Sequence, residues 1–400
     1  VTDLLWPGDH RAGHTFSDAA YLTAMVRVEN AWLGVLVDAG IAPASARTDL
    51  TATISAADAD AVAVAAEATG NPVPGVLELL RDRISGEPAR WLHRGLTSQD
   101  VVDTALMLCL RDALDRVRGE LVTQVRTLVA LADTYRDTPI LARTLTQPAL
   151  PTTVGMKVAN WLAGILDSAD AVAALPVLPV QAGGAAGTLA AATELTGSPT
   201  DAIALSGRLA AALGLADSPP WHTTRSVITR AGDTLVTCCD AWGHIATDIA
   251  TSSRPEIGEL AEGRGGGSST MPHKNNPVLS ILIRRTALAA PSLAATLHTA
   301  SAASVDERSD GGWHTEWATL RTLSRHTVTA AAQTTELLAG LVIDTDRAAA
   351  NLAAAGDLLG EQRAMTELAE RRALPDYTGA TGHLIDAVRR RAHHHLTEAT

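Results

Sequence analysis

"SVITRAGDTLVTCCDAWGHIATDIATSS", residues 226–253, decides the fold class. No proline interrupts the chain between Pro220 and Pro255, and proline is the residue that most strongly breaks a helix interior. Val227, Ala231, Leu235, Cys238, Trp242, Ile245 and Ile249 recur at steps of three and four residues, which places them along one face of a helix. The stretch reads as a single long helix with a buried seam.

The same pattern follows Asp100, where Val102, Leu106, Cys109, Ala113 and Val117 share a face while Asp103, Arg111, Asp112 and Asp115 mostly lie elsewhere. Further helical patterns run at about 119–135, 152–174, 200–214, 278–300 and 315–341. Composition agrees: the 400 residues are 46% hydrophobic and rich in alanine, with only 3% aromatics. Alanine favours helix, whereas strands prefer β-branched and aromatic residues. The expected class is all-α, an elongated bundle of long helices. Its regions are an N-terminal helical domain at 1–95, a long-helix core at 96–343 and a short helical remainder at 344–400.

A formal charge of -12 argues against a nucleic-acid partner, because phosphate binding draws on clustered lysine and arginine. It does not exclude an anionic substrate, which feels the local field of a site. Cys109, Cys238 and Cys239 have neither metal-ligand nor redox spacing, so a reducing cytoplasm is expected. The start "VTDLLWPGDHR" lacks a basic segment followed by an apolar core. No apolar run is expected to span a membrane.

Polar punctuation interrupts the helices at two places that bear on chemistry. In "LHRGLTSQD", Thr97 and Asp100 fit a capping box at the start of a helix; equally, the hydroxyls of Thr97 and Ser98 with the free N–H groups there suit a carboxylate. His93, four residues earlier, is either a structural hydrogen-bonding residue or an acid or orienting group. The stretch "GRGGGSSTMPHKNNPVLS", residues 263–280, is a glycine-rich loop without P-loop spacing, because its serines precede Lys274. Met271 and Pro272 stiffen it, Lys274 and Asn276 add a cation and an amide, and Pro277 can open the next helix. Such a loop brings a serine together with oxyanion donors.

The run "GSSTMPHKNNP", residues 267–277, resembles the GSSxMPxKxNP signature of the fumarase/aspartase superfamily. Within it, "FSDAAYLTAMVRVENAWL" from Phe16, "GNPVPGVLELL" from Gly70, "HRGLTSQDVVDTAL" from His93, "QAGGAAGTLAA" from Gln181, "PPWHTTR" from Pro219 and "ERSDGGWHTEW" from Glu307 look most like the 3-carboxy-cis,cis-muconate cycloisomerases, the lactonising enzymes of protocatechuate breakdown. The resemblance implies a homotetramer whose shared active sites draw on three separated regions. It implies a small polycarboxylate substrate and neither metal nor cofactor. Ser268 is then the base, Lys274 and Asn276 bind a substrate carboxylate, and Thr97, Ser98, Gln147, Ser269 and Met271 hold the remaining polar groups. Arg225 and Arg308 are further carboxylate ligands, each with a surface or interhelix ion pair as the plain alternative. The implied reaction is cycloisomerisation, with C–N bond lysis on a substituted succinate as the alternative and a non-enzymatic scaffold as the reading from another class.

Three departures bear on this. In "ARTLTQPALPTT", Leu145 stands where the superfamily often has histidine or tryptophan, and leucine transfers no proton. A leaving group must then be protonated from elsewhere, by His93 or His273, or depart as an anion. Asp306 replaces a histidine common in the cycloisomerases. The C-terminal region is short, with one helical segment expected at about 346–373 and His393–His395 in a solvated tail.

Overall fold

The computed structural model describes residues 2–267, 271 and 274–398. The all-α expectation holds. Helices α1 (Asp18–Asp38), α2 (Ala59–Thr69), α3 (Val73–Arg83) and α4 (Glu87–Trp91) precede the longest, α5 (Ser98–Thr134). A hairpin of β1 (Pro139–Thr144) and β2 (Gln147–Thr153) leads to α6 (Val154–Ala173), α7 (Ala190–Thr196), α8 (Pro199–Leu213) and α9 (Ser226–Ser252). Short strands β3 (Leu260–Ala261), β4 (Gly266–Gly267) and β5 (Asn275–Asn276) come before α10 (Val278–Ala302) and α11 (Gly312–Ala339). Strand β6 (Val342–Ile343) and helices α12 (Thr345–Ala354), α13 (Gly360–Leu368) and α14 (Thr381–Glu398) complete the chain.

The seam on α9 is as the spacing requires: Ala231, Leu235, Cys238, Trp242, Ile245 and Ile249 are buried. Val227 is half-buried while Ile228 is fully buried, so the stripe begins one residue later than the spacing suggests. The patterns after Asp100 and at 119–135 fuse into one helix, because Gly119 meets nothing within 4 Å and costs only about 1 kcal/mol inside a helix.

Two compact units are formed by interleaved segments. The first comprises Val1–Arg116, Ala174–Asp233 and Pro291–His326; the second comprises Val117–Ala173, Thr234–Ala290 and Thr327–Thr400. In the first, α1 packs on α8, and the fully buried Trp32 donates from Nε1 to the Arg94 carbonyl at 2.7 Å. In the second, Trp242 donates to Gln124 Oε1 at 2.8 Å, and the Gln124 amide donates in turn to the Ala331 carbonyl at 3.0 Å. A buried polar atom left unpaired costs about 1–3 kcal/mol, so this chain of bonds ties α5, α9 and α11 in one relative register. At Gly243 an added Cβ would lie 2.5 Å from the Ala287 Cβ, so α9 and α10 approach at that point only because one of them has no side chain.

Two expectations are corrected. His393–His395, expected in a solvated tail, lie within helix α14, which spans residues 381–398. Ile385 and Ala392 are buried, α14 packs on α6, and Arg136–Asp386 at 2.8 Å and Arg391–Asp170 at 2.6 Å anchor it. His393 and His394 are exposed on that helix, and no group of His, Cys, Asp or Glu among the described residues is arranged to hold a metal ion. Helix α10 is, by length and composition, apolar enough to cross a membrane. Its alanines keep mean hydropathy high even though Arg284 and Arg285 lie within it, which a search for unbroken apolar runs overlooks.

Candidate functional site

The start of α5 makes half of the expected capping box. Thr97 N–H donates to Asp100 Oδ2 at 2.9 Å, but the Thr97 hydroxyl accepts from Arg308 at 2.5 Å instead of capping the helix. Asp100 is also bonded by the N–H groups of Gly183 and Gly184, at 2.8 and 3.0 Å, and lies 3.0 Å from His222 Nε2. Its carboxylate is therefore saturated within the protein. Ser98, half-buried at the first turn, has no partner for its hydroxyl among the described residues. Arg308 Nε is buried without a hydrogen bond, and no described carboxylate pairs with its guanidinium. Thr97, Ser98 and Arg308 thus present unused donors together.

His93 lies on the loop before this helix with φ +64°. Its Nδ1 is 2.6 Å from Glu29 Oε1, with the two side chains 16% and 0% exposed.

Arg225 sits in a buried ion-pair network, the alternative to its reading as a substrate ligand. It bonds both oxygens of Asp103, at 2.7 and 3.0 Å, and reaches Glu316 Oε2 at 2.5 Å. Burial alone would favour the neutral guanidine, yet the two carboxylates hold its pKa above the usual value. Trp313 Nε1 donates to Asp103 Oδ1 at 2.9 Å, and Gln99 donates to Oδ2 at 3.2 Å. The carboxylates expected from a substrate are supplied here by the chain itself. The quoted segments from His93, Gln181, Pro219 and Glu307 converge on this buried network, so much of what they have in common is structural. Asp103, His222 and Glu316 were missed as partners because the residues joined stand 91 to 122 positions apart.

Gln147, Met271, Lys274 and Asn276 belong to the second unit. Thr144 pairs with Gln147 across a two-residue loop, and both loop residues, Leu145 and Thr146, have positive φ, +47° and +71°. That is the backbone of a tight primed turn, which Asn-Gly adopts without strain and Leu-Thr does not. Leu145 is 96% exposed at the tip. His93 and Asp306 (φ +51°) are also non-glycine residues with positive φ, and retained strain of this kind clusters at working sites.

Around the signature loop, β4 pairs with β5 so that Gly266 faces Asn276 and Gly267 faces Asn275. An added Cβ at Gly265 would overlap the Asn275 side chain, 1.5 Å from its Oδ1, and one at Gly266 would come 2.2 Å from Val278 Cγ2. These two glycines make room for the chain itself, while Gly267 meets nothing within 4 Å. Glu262, which sequence reading missed, accepts from Leu279 N–H at 3.1 Å and Ser280 N–H at 2.7 Å, placing a carboxylate at the positive end of α10. Lys274 is exposed, and its N–H donates to the Met271 carbonyl at 3.0 Å. Ser268, Ser269 and His273 lie outside the described residues.

A lyase family model matches residues 19–291. The chain is 43% identical over 359 residues to nitrosuccinate lyase from Streptomyces davaonensis, covering 86% of this chain and 74% of that protein. It is 36% identical over 386 residues to 3-carboxy-cis,cis-muconate cycloisomerase from Bradyrhizobium diazoefficiens, covering 94% and 83%. The solved 3-carboxy-cis,cis-muconate lactonizing enzyme from Pseudomonas putida superposes with a TM-score of 0.82 at 33% identity, over 95% of this chain and 84% of that one. With the long-helix fold and the signature loop between β4 and β5, these matches establish that the chain is an enzyme of the lyase family within the fumarase/aspartase superfamily.

Proposed function

We propose that the enzyme is a C–N lyase that expels nitrite from nitrosuccinate. The observation that carries this reading is Leu145, an apolar side chain at the exposed hairpin tip two residues before Gln147, where the superfamily often has a histidine able to transfer a proton or, in the cycloisomerases, a tryptophan. A nitro group leaves as nitrite, a weak base that needs no protonation. An amine leaving group would need an acid. The 43% identity to a nitrosuccinate lyase supports the same substrate.

In the proposed step Ser268, working as the alkoxide, takes the proton beside the carboxylate and becomes a neutral hydroxyl. The C–H electron pair becomes the C=C bond, the C–N pair departs with nitrite, and the product is an unsaturated dicarboxylate. Negative charge develops on the substrate carboxylate before the C–N bond breaks. Lys274 and Asn276 would bind that group, and donors already in place stabilise it most. Thr97, Ser98, Arg308 and Gln147 would hold the second carboxylate and the nitro oxygens. A homotetramer with shared sites belongs to this proposal. It is supported by the apolar exposure of α10, where Val278, Ile281 and Leu288 are 39%, 50% and 79% exposed.

The second reading is cycloisomerisation of 3-carboxy-cis,cis-muconate, favoured by the longer match to those enzymes. The "GGWHTEW" segment lends it less weight than its composition suggests, since Trp313 and Glu316 are committed to the buried network. Purified enzyme is tested with both substrates. Nitrite and fumarate formed in equal amounts, and abolished by Ser268→Ala, are expected; loss of carboxymuconate absorbance without nitrite release from nitrosuccinate overturns the first reading in favour of the second.

A further inference from the structure

We infer that a cavity between α1 and α5 binds a small carboxylate with an apolar body, at a place apart from the start of α5. The cavity measures about 650 Å³, inside the range of roughly 300–1,000 Å³ usual for small-molecule sites. Its whole wall belongs to the first unit. Ala20, Ala24 and Arg27, spaced four and three residues apart, give it one face of α1; Leu108, Cys109 and Arg116 give it one face of α5.

The charges around this space do not balance. Arg27 is half-buried, and its guanidinium has neither a hydrogen bond nor an ion pair among the described residues. It stands close enough to Cys109 for its charge to offset a little of the burial that raises that thiol. Arg116 donates to the Arg11 and Ala12 carbonyls at 2.7 and 2.5 Å and to the Thr15 hydroxyl at 3.0 Å, but to no carboxylate. Asp112 is the one carboxylate in the described wall, and Arg111 already holds it at 3.1 Å. Two guanidiniums without a counter-ion therefore share one cavity, in a chain whose formal charge is -12. Withdrawing a cation from water without a partner is unfavourable. The planar fork of arginine matches the two oxygens of a carboxylate.

The rest of the wall selects the body of the ligand. Phe16, Ala24 and Leu108 are buried apolar residues, so hydrocarbon entering here leaves water. A bare inorganic anion would gain nothing from them. Leu108 stands ten residues after Ser98, about 15 Å along the helix. The ligand can thus occupy the cavity while Thr97, Ser98 and Arg308 remain free for substrate, and the site does not depend on which substrate that is. An occupant joins α1 to α5 and stabilises the folded chain, since it binds that state alone.

Benzoate is the probe, with benzamide for the same shape without charge and inorganic phosphate for charge without an apolar body. Calorimetric titration of the full-length enzyme should give benzoate a Kd on the order of 1 mM, as suits so small a ligand, and benzoate should raise the melting temperature. Benzamide and phosphate should each bind at least about tenfold more weakly. Arg27→Met has no hydrogen bond to lose, so it should melt at the wild-type temperature without ligand and bind benzoate about tenfold or more weakly. Ala20→Leu, which fills the space, should abolish binding. Equal affinity of wild type and Arg27→Met for benzoate overturns the inference, as does phosphate binding as tightly as benzoate. Binding lost in Arg308→Gln but kept in Arg27→Met places the probe at the start of α5 and overturns it too. If Arg27→Met does not fold, benzamide bound as tightly as benzoate overturns it instead.

Discussion

Asp103 and Arg225 are joined by two hydrogen bonds, 2.7 and 3.0 Å long, with their side chains 0% and 1% exposed. The arginine also meets Glu316, so one cation stands between two buried anions. Its removal leaves both without compensation. Arg225→Met is expected to lower unfolding free energy by about 3–5 kcal/mol, measured by urea denaturation, before any effect on substrate is considered. A variant that unfolds at the wild-type midpoint would show that the network contributes nothing to stability.

Glu316 is an anion that its own burial works against. Burial raises its pKa, and the bonds from Arg225 only partly offset this. A carboxyl that binds its proton more tightly folded than unfolded contributes stability below its unfolded pKa and loses it as pH rises through its folded pKa. Stability should therefore fall as pH climbs out of the ordinary carboxylate range, and Glu316→Gln should flatten that segment of the pH curve. Denaturation midpoints across pH for the two proteins decide the matter.

The three cysteines should be inert in the native protein. Burial pushes the thiols of Cys109 and Cys239 up to about 12 and raises Cys238 as well, and the reactive species is the thiolate. Iodoacetamide near neutral pH should label none of them until denaturant is added. Native labelling at any one would contradict the packing of its helix.

The hairpin tip carries strain that can be relieved. Replacing Leu145-Thr146 by Asn-Gly, which suits two left-handed residues, should stabilise the fold by about 1–2 kcal/mol and raise the melting temperature. Because the proposed nitrite leaving group departs unprotonated, Leu145→Ala should leave nitrite release within about tenfold of wild type, whereas Ser268→Ala should lower it by about 10²–10⁴-fold. A collapse of turnover in Leu145→Ala would mean that the apolar side chain itself contacts substrate.

Gly243→Ala is expected to cost about 1–3 kcal/mol by overpacking, because its Cβ would stand 2.5 Å from that of Ala287. Pairing it with Ala287→Gly, which reopens the space, should recover part of the loss. Additive losses in the double variant would refute a direct contact.

Sequence alone determined the helices, because the information is local: apolar residues every three or four positions, unbroken by proline, leave a chain few other ways to bury them. It also located the segments that matter, since glycine, serine, lysine and proline in one short loop have little use inside a bundle, and it marked Leu145 as a site without a proton donor. Tertiary structure decided what each polar residue does. Arg225 reads as a substrate ligand until Asp103, 122 residues away, is seen to hold it. Thr97 reads as a helix cap until Arg308 takes its hydroxyl. His393–His395 read as a solvated tail until α14, which carries them, packs on α6 and buries Ile385 and Ala392. A polar side chain's role depends on which partner desolvates it. That partner is brought near by packing, and nothing in the spacing of neighbouring residues specifies it.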